Sequence, residues 1–298
     1  MTHPFSAAVD VPVSGGSLRV GLSGPPPGSG VPVVVAVHGI TGSHRSWSPV
    51  ARHLGDSVSL LALDLRGRGG SSEVPGPFGM DTHAADVAAV LDHFGVARAV
   101  LTGHSMGAYV VARLAAKAPE RAVATLLVDG GLPLPVPPDL DPDVVLAAIL
   151  GPALDRLSMK FDSLADYQDF WRVHPAFTIW TDDVADYIAY DCADPEASPV
   201  HSRVAADAVR ADGRDLLAGD AATAALAALP GPTVLLWAPR GLQNEPRPLL
   251  PQAVIEAGHH ACPHLLDQEV ADTNHYLILL GDREAGVVAA EIRRLAEA

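Results

Sequence analysis

A chain of 298 residues with 48% hydrophobic and 18% charged residues carries enough apolar surface to bury a large core, which excludes a disordered protein. Lys and Arg number 20 against 35 Asp and Glu, a formal net charge of −15 whose field repels a phosphate backbone and excludes an ordinary nucleic-acid partner. Met1-Thr2-His3-Pro4 lacks a basic leader, no run of about 18 apolar residues occurs, and two Cys are too few for a disulfide framework, so the chain is expected to be soluble and cytoplasmic with no membrane partner. A single bridge between Cys192 and Cys262 stays open, as does the oligomeric state.

Taken in chain order, residues 7–22 read as two strands, followed by the turn-rich Pro25-Pro26-Pro27-Gly28. Continuous apolar runs at 31–37, 58–63, 97–102 and 122–128 have the character of strands buried on both faces. Helical patterns separate them at 44–54, 82–94 and 106–118. Strand, helix, strand at this spacing predicts right-handed crossovers and a doubly wound α/β sheet. After Gly131 the pattern changes: residues 132–228 contain no clear buried strand and predict helices near 142–157, 163–173, 183–191 and 199–219. This stretch holds eight of the 15 Phe, Trp and Tyr residues. The α/β pattern resumes with a strand at Thr233–Trp237, a weaker one near 267–272 and a closing helix from about 283. Length alone suggests two domains. The pattern predicts instead one core, residues 1–131 and 229–298, with a helical cap of residues 132–228 inserted in it.

The strongest chemical signal is Gly103-His104-Ser105-Met106-Gly107, between a predicted strand and a predicted helix. A serine on so tight a turn sits at the helix N-terminus, where free backbone N–H groups favour developing negative charge, and glycines two residues to either side avoid clashes with the neighbouring strand and helix. Three other segments join it: His38-Gly39-Ile40-Thr41-Gly42 after the third strand, Asp64-Leu65-Arg66-Gly67-Arg68-Gly69-Gly70-Ser71 after the next, and Thr273-Asn274-His275-Tyr276 after the last. With these segments the chain resembles the α/β-hydrolase fold family over residues 7–131 and 232–298. The resemblance implies a mostly parallel eight-stranded sheet with helices on both faces. It also implies Ser105 as nucleophile, His275 as base, and an oxyanion hole made by the backbone N–H groups of Ile40 and Met106. No cofactor is expected.

The triad acid has two candidates. Many family members place it after the strand that follows the cap, but Trp237-Ala238-Pro239-Arg240-Gly241-Leu242-Gln243-Asn244-Glu245 lacks the usual aspartate, and only Glu245 could reach back. The other location is the end of the strand after the nucleophile helix, as in haloalkane dehalogenases and zearalenone-type lactonases; here it is Asp129, which is the expected acid, with Glu245 the alternative. Among the 13 His, His259, His260 and His264 flank Cys262, but their spacing fits no standard zinc motif, and no metal is expected.

A serine at the elbow suits attack on an acyl carbon rather than the sp3 carbon that an aspartate attacks in epoxide hydrolases and haloalkane dehalogenases. The expected function is hydrolysis of a small-molecule carboxylic ester or lactone through an acyl-enzyme, with Trp180 and Tyr187 of the aromatic cap as pocket walls. The acidic surface disfavours anionic substrates such as acyl-CoA. The alternatives are a ligand receptor on the same fold, with little or no turnover, and a perhydrolase or C–C bond hydrolase using the same serine and histidine.

Overall fold

The chain opens with a hairpin in which β1 (Ala7–Val13) and β2 (Gly16–Ser23) pair antiparallel and bury Val11, Leu18 and Val20. In the computed structural model, which describes residues 3–5, 7–136 and 139–297, strands and helices then alternate. They are β3 (Val33–Val37), α1 (Ser48–Leu54), β4 (Ser59–Leu63), α2 (Met80–His93), β5 (Ala99–His104), α3 (Met106–Lys117) and β6 (Ala122–Val128). A helical segment follows, with α4 (Pro142–Leu150), α5 (Pro152–Asp155), α6 (Leu164–Arg172) and α7 (Asp182–Asp191). It continues through the two-residue strands β7 (Cys192–Ala193) and β8 (His201–Ser202) to α8 (Ala206–Leu217) and α9 (Asp220–Ala227). The chain closes with β9 (Thr233–Trp237), α10 (Gln252–Ala261), β10 (Leu265–Glu269), α11 (Leu277–Leu280) and α12 (Asp282–Ala296).

Eight strands form one sheet in the order β1-β2-β4-β3-β5-β6-β9-β10, antiparallel only at the β1, β2 and β4 contacts and parallel elsewhere. This is the α/β-hydrolase architecture that the sequence implied. The side-chain period of two explains the apolar runs, because alternate residues of one strand feed different cores. Val35, Val37, Leu61 and Leu63 point into a core shared with α2, α3 and the helical segment. Val34, Ala36, Leu60 and Ala62 point into a second core with α1, α11 and α12. The edge strand β10 reads Leu265-Leu266-Asp267-Gln268-Glu269 and is exposed beyond its first residue; its charges protect an edge that would otherwise invite pairing.

Several expected elements shift. The helix near 142–157 breaks at Gly151, which adopts φ +50°, and restarts at Pro152. The helix expected over 199–219 begins only at Ala206, because Phe161 pairs with Val200 and β8 pairs with β7, holding residues 200–202 extended. Asp191 enforces this: its carboxylate accepts from the Ser202 hydroxyl, and its carbonyl accepts from the Arg203 N–H. The last strand lies at 265–269 rather than 267–272, set by its register against β9. Helix α9, which has no separate signal in the sequence, packs on α3. Cys192 and Cys262 are both buried free thiols. Among the described residues no helix is long and apolar enough to cross a membrane.

Candidate active site

Ser105 sits between β5 and α3 with φ 54° and ψ −122°, a left-handed conformation that costs a non-glycine residue about 1–3 kcal/mol and persists only where the surroundings enforce it. They do so by close approach. A Cβ on Gly103 would lie 2.1 Å from the Gly107 carbonyl oxygen, one on Gly107 would lie 2.2 Å from that of Val37, and one on Gly130 would lie 2.3 Å from that of Ser105. The Ser105 N–H donates to the Val128 carbonyl at 2.9 Å, which fastens the turn to β6.

His275 and Asp129 meet although 146 positions separate them: His275 Nδ1 lies 2.6 Å from Asp129 Oδ2, with both side chains buried. A carboxylate only accepts, so the proton resides on Nδ1 and Nε2 is the lone-pair nitrogen. Asp129 Oδ1 accepts from the Ala238 N–H at 3.1 Å, and the Asp129 N–H donates to the Leu236 carbonyl at 2.7 Å, so β9 holds both ends of the residue. Glu245 instead accepts from the Gln243 N–H at 2.8 Å, within its own loop. The histidine loop is clamped from several sides. His104 Nε2 donates to the His275 carbonyl at 2.8 Å. Asn274 Nδ2 donates to the Ala176 carbonyl and to Asn244 Oδ1, and Asn274 Oδ1 accepts from the N–H groups of Tyr276 and Leu277. The sequence places His104 and Asn274 in the segments that carry Ser105 and His275, but their clamping contacts form only in the fold.

Ile40 lies on a loop pressed against the serine: a Cβ on Gly39 would be 3.1 Å from that of Ser105. Two buried arginines hold the loop. Arg68 Nε donates to the Ile40 carbonyl at 3.0 Å and pairs with Asp212 of α8 at 2.6 Å; Arg156 donates to the Thr41 carbonyl at 3.3 Å and pairs with Asp191 at 3.0 Å. Met106 is the first residue of α3, so its N–H has no intrahelical acceptor.

Ser105, His275, Ile40, Tyr187 and Tyr276 line one cavity. Trp180, the other expected wall residue, does not line it. It packs against Phe177 and beneath the Arg172 guanidinium, 4.2 Å from its ring centre. Most aromatics of the helical segment pack on one another around Trp171, with Tyr276 joining them. His259, His260 and His264 diverge: His259 pairs with Asp267 and His260 bonds the Glu256 carbonyl. Among the described residues no three His, Cys, Asp or Glu side chains gather as metal ligands.

The loop also carries an acid-sensitive group. His38 donates from Nδ1 to the Gly39 carbonyl and accepts at Nε2 from the Leu65 N–H, so it is held neutral. Burial pushes its pKa down to about 4, against the opposing pull of Asp64. The unfolded chain binds this proton near pH 6.5, so the stability is intact above that value and is lost as pH falls towards 4. Denaturant titrations are expected to show the unfolding free energy dropping by about 3 kcal/mol through this group between pH 7 and pH 4. A flat profile across that window contradicts the assignment.

Residues 32–282 match the family model for the alpha/beta hydrolase fold. The chain is 36% identical over 106 residues to Lipase LipV of Mycobacterium tuberculosis, covering 36% of this chain and 40% of that protein. It is 37% identical over 101 residues to the dihydrolipoyllysine-residue acetyltransferase component of the acetoin cleaving system of Cupriavidus necator, covering 34% of this chain and 27% of that protein. The chain thus spans less than half the length of these curated relatives. Among solved structures, E-2-(acetamidomethylene)succinate hydrolase superposes with a TM-score of 0.79 at 19% identity, over 98% of this chain and 99% of that one, a likeness of fold.

Proposed function

We propose that this chain, which belongs to the alpha/beta hydrolase fold family, is a serine hydrolase that cleaves a carboxylic ester or lactone of an apolar small molecule through an acyl-enzyme. The observation that carries this reading is the 2.6 Å contact between His275 Nδ1 and Asp129 Oδ2 behind a cavity that His275 shares with a strained Ser105. A serine hydroxyl is a poor nucleophile at neutral pH and needs an oriented base. In the proposed reaction Ser105 Oγ attacks the acyl carbon while its proton passes to His275 Nε2. Asp129 keeps the imidazole in the required tautomer and stabilises the imidazolium. The N–H groups of Ile40 and Met106 hold the oxyanion, each worth about 3 kcal/mol. His275 then protonates the departing alkoxide as the C–O bond breaks. Water, deprotonated by His275, attacks the acyl-enzyme, and Ser105 leaves with the proton returned.

Diisopropyl fluorophosphate tests the nucleophile directly. We expect one label per chain, on the Ser105 peptide, with ester hydrolysis abolished in proportion. Full hydrolysis of p-nitrophenyl acetate after exhaustive treatment, or labelling elsewhere, defeats the proposal.

A further inference from the structure

Ser105 opens onto two lobes, not one. The first is the cavity lined by His275, Tyr187 and Tyr276. The second is lined by Ser105, Met106, Tyr109, Leu146, Leu216 and Leu217 among others, and lacks His275. Ile40, Leu150 and Leu242 line both. The second lobe adjoins a larger outer groove along α4, with which it shares Leu134, Ile149, Leu242 and Leu249. The groove includes Leu140 and Val144, which are 49% and 60% exposed although apolar.

We infer that the substrate is an open-chain ester with a long unfunctionalised acyl chain, bound in the second lobe and the outer groove, with the alcohol portion in the lobe that His275 lines. This deepens the function proposed above and rests on it. His275 must protonate the leaving oxygen, so the alcohol belongs on its side; the acyl chain then takes the lobe from which His275 is absent. That lobe offers a chain almost nothing polar. Besides Ser105, its one polar side chain is Tyr109, whose hydroxyl already donates to the Leu132 carbonyl at 2.6 Å. A hydroxyl or carboxylate on the part of the chain inside this lobe would be buried without a partner; polar side chains, Glu245 and Arg247, occur only in the groove beyond it. A lactone keeps its acyl carbon and its alcohol oxygen in one ring, so its acyl part cannot extend into this lobe independently of the alcohol part. A chain reaching the groove would cover the exposed Leu140 and Val144.

The experiment compares kcat/KM for p-nitrophenyl acetate, hexanoate and dodecanoate. Each methylene buried in the lobe is expected to raise kcat/KM about fourfold, the ratio equivalent to about 0.8 kcal/mol, until the chain passes beyond the groove. Ile149→Trp, at the passage between lobe and groove, is expected to collapse the dodecanoate-to-acetate ratio by at least about tenfold, the cost of losing two or three such methylenes. A defect in folding or in the catalytic residues lowers both rates and leaves the ratio alone. Acetate hydrolysed as fast as the longer esters, an unchanged ratio in Ile149→Trp, or a macrocyclic lactone cleaved faster than the dodecanoate ester overturns the channel while leaving the serine mechanism standing. Failure to hydrolyse any of the three esters overturns the serine-hydrolase reading itself.

Discussion

Ser105→Ala is expected to lower kcat for p-nitrophenyl ester hydrolysis by about 10⁵–10⁶-fold, the loss that follows when a nucleophile acting as one unit with its base is removed. His275→Ala should cost about as much, and the double variant little more than either alone, because neither group retains its role without the other. The residual rate over water would come from the Ile40 and Met106 N–H groups and from substrate binding. The substitution is a clean one. The Ser105 hydroxyl makes no capping bond to α3, and the tight turn depends on the glycines and on the Ser105 N–H rather than on the side chain. The thermal midpoint should therefore stay within a few degrees of the parent, as for a substitution that removes no buried bond. Hydrolysis at the parent rate by Ser105→Ala would place the chemistry on another residue.

The elbow was legible because its spacing is a steric necessity. Where a Cβ would come within 2.2 Å of backbone, only glycine serves, and Gly103 and Gly107 announce this directly in the sequence. The central strands were legible for a similar reason, since a strand feeding two cores has no polar face to disguise it. The cap aromatics were less so. Composition locates a cluster but does not say which face each ring occupies. Tyr187 stands on the buried stripe of α7 with Val184 and Ile188, at i, i+3 and i+4, whereas Trp180 lies before the helix and joins the aromatic packing. That helical register is the signal that could have separated them. The arginines that hold the Ile40 loop had no sequence signal. Arg68 and Asp212 meet across 144 positions, and their charges look like any other solvated pair until the fold buries them.

The sequence favoured Asp129 but kept Glu245 as a rival, because β6 and β9 are neighbours: Asp129 at the end of one and the loop to Glu245 after the other leave the sheet side by side. A kinetic comparison separates the two. Asp129→Asn is expected to lower kcat about 10⁴-fold, because an amide can present an N–H to His275 Nδ1, favouring the tautomer whose proton sits on Nε2, where the base must be free. The contacts of residue 129 with the backbone of Ala238 and Leu236 lie on the far side of that change: the Asn oxygen can still accept from the Ala238 N–H, so the geometry survives while the tautomer is lost. Glu245→Gln should leave kcat within about twofold, since its carboxylate is engaged by the Gln243 N–H, which an amide oxygen also satisfies, and a surface change of this kind costs little. The reverse pattern, with Glu245→Gln inactive and Asp129→Asn active, would move the acid to the strand after the cap. Equal, modest losses in both variants would mean that His275 is held by its backbone clamp through His104 and Asn274 alone, and that neither carboxylate sets its tautomer.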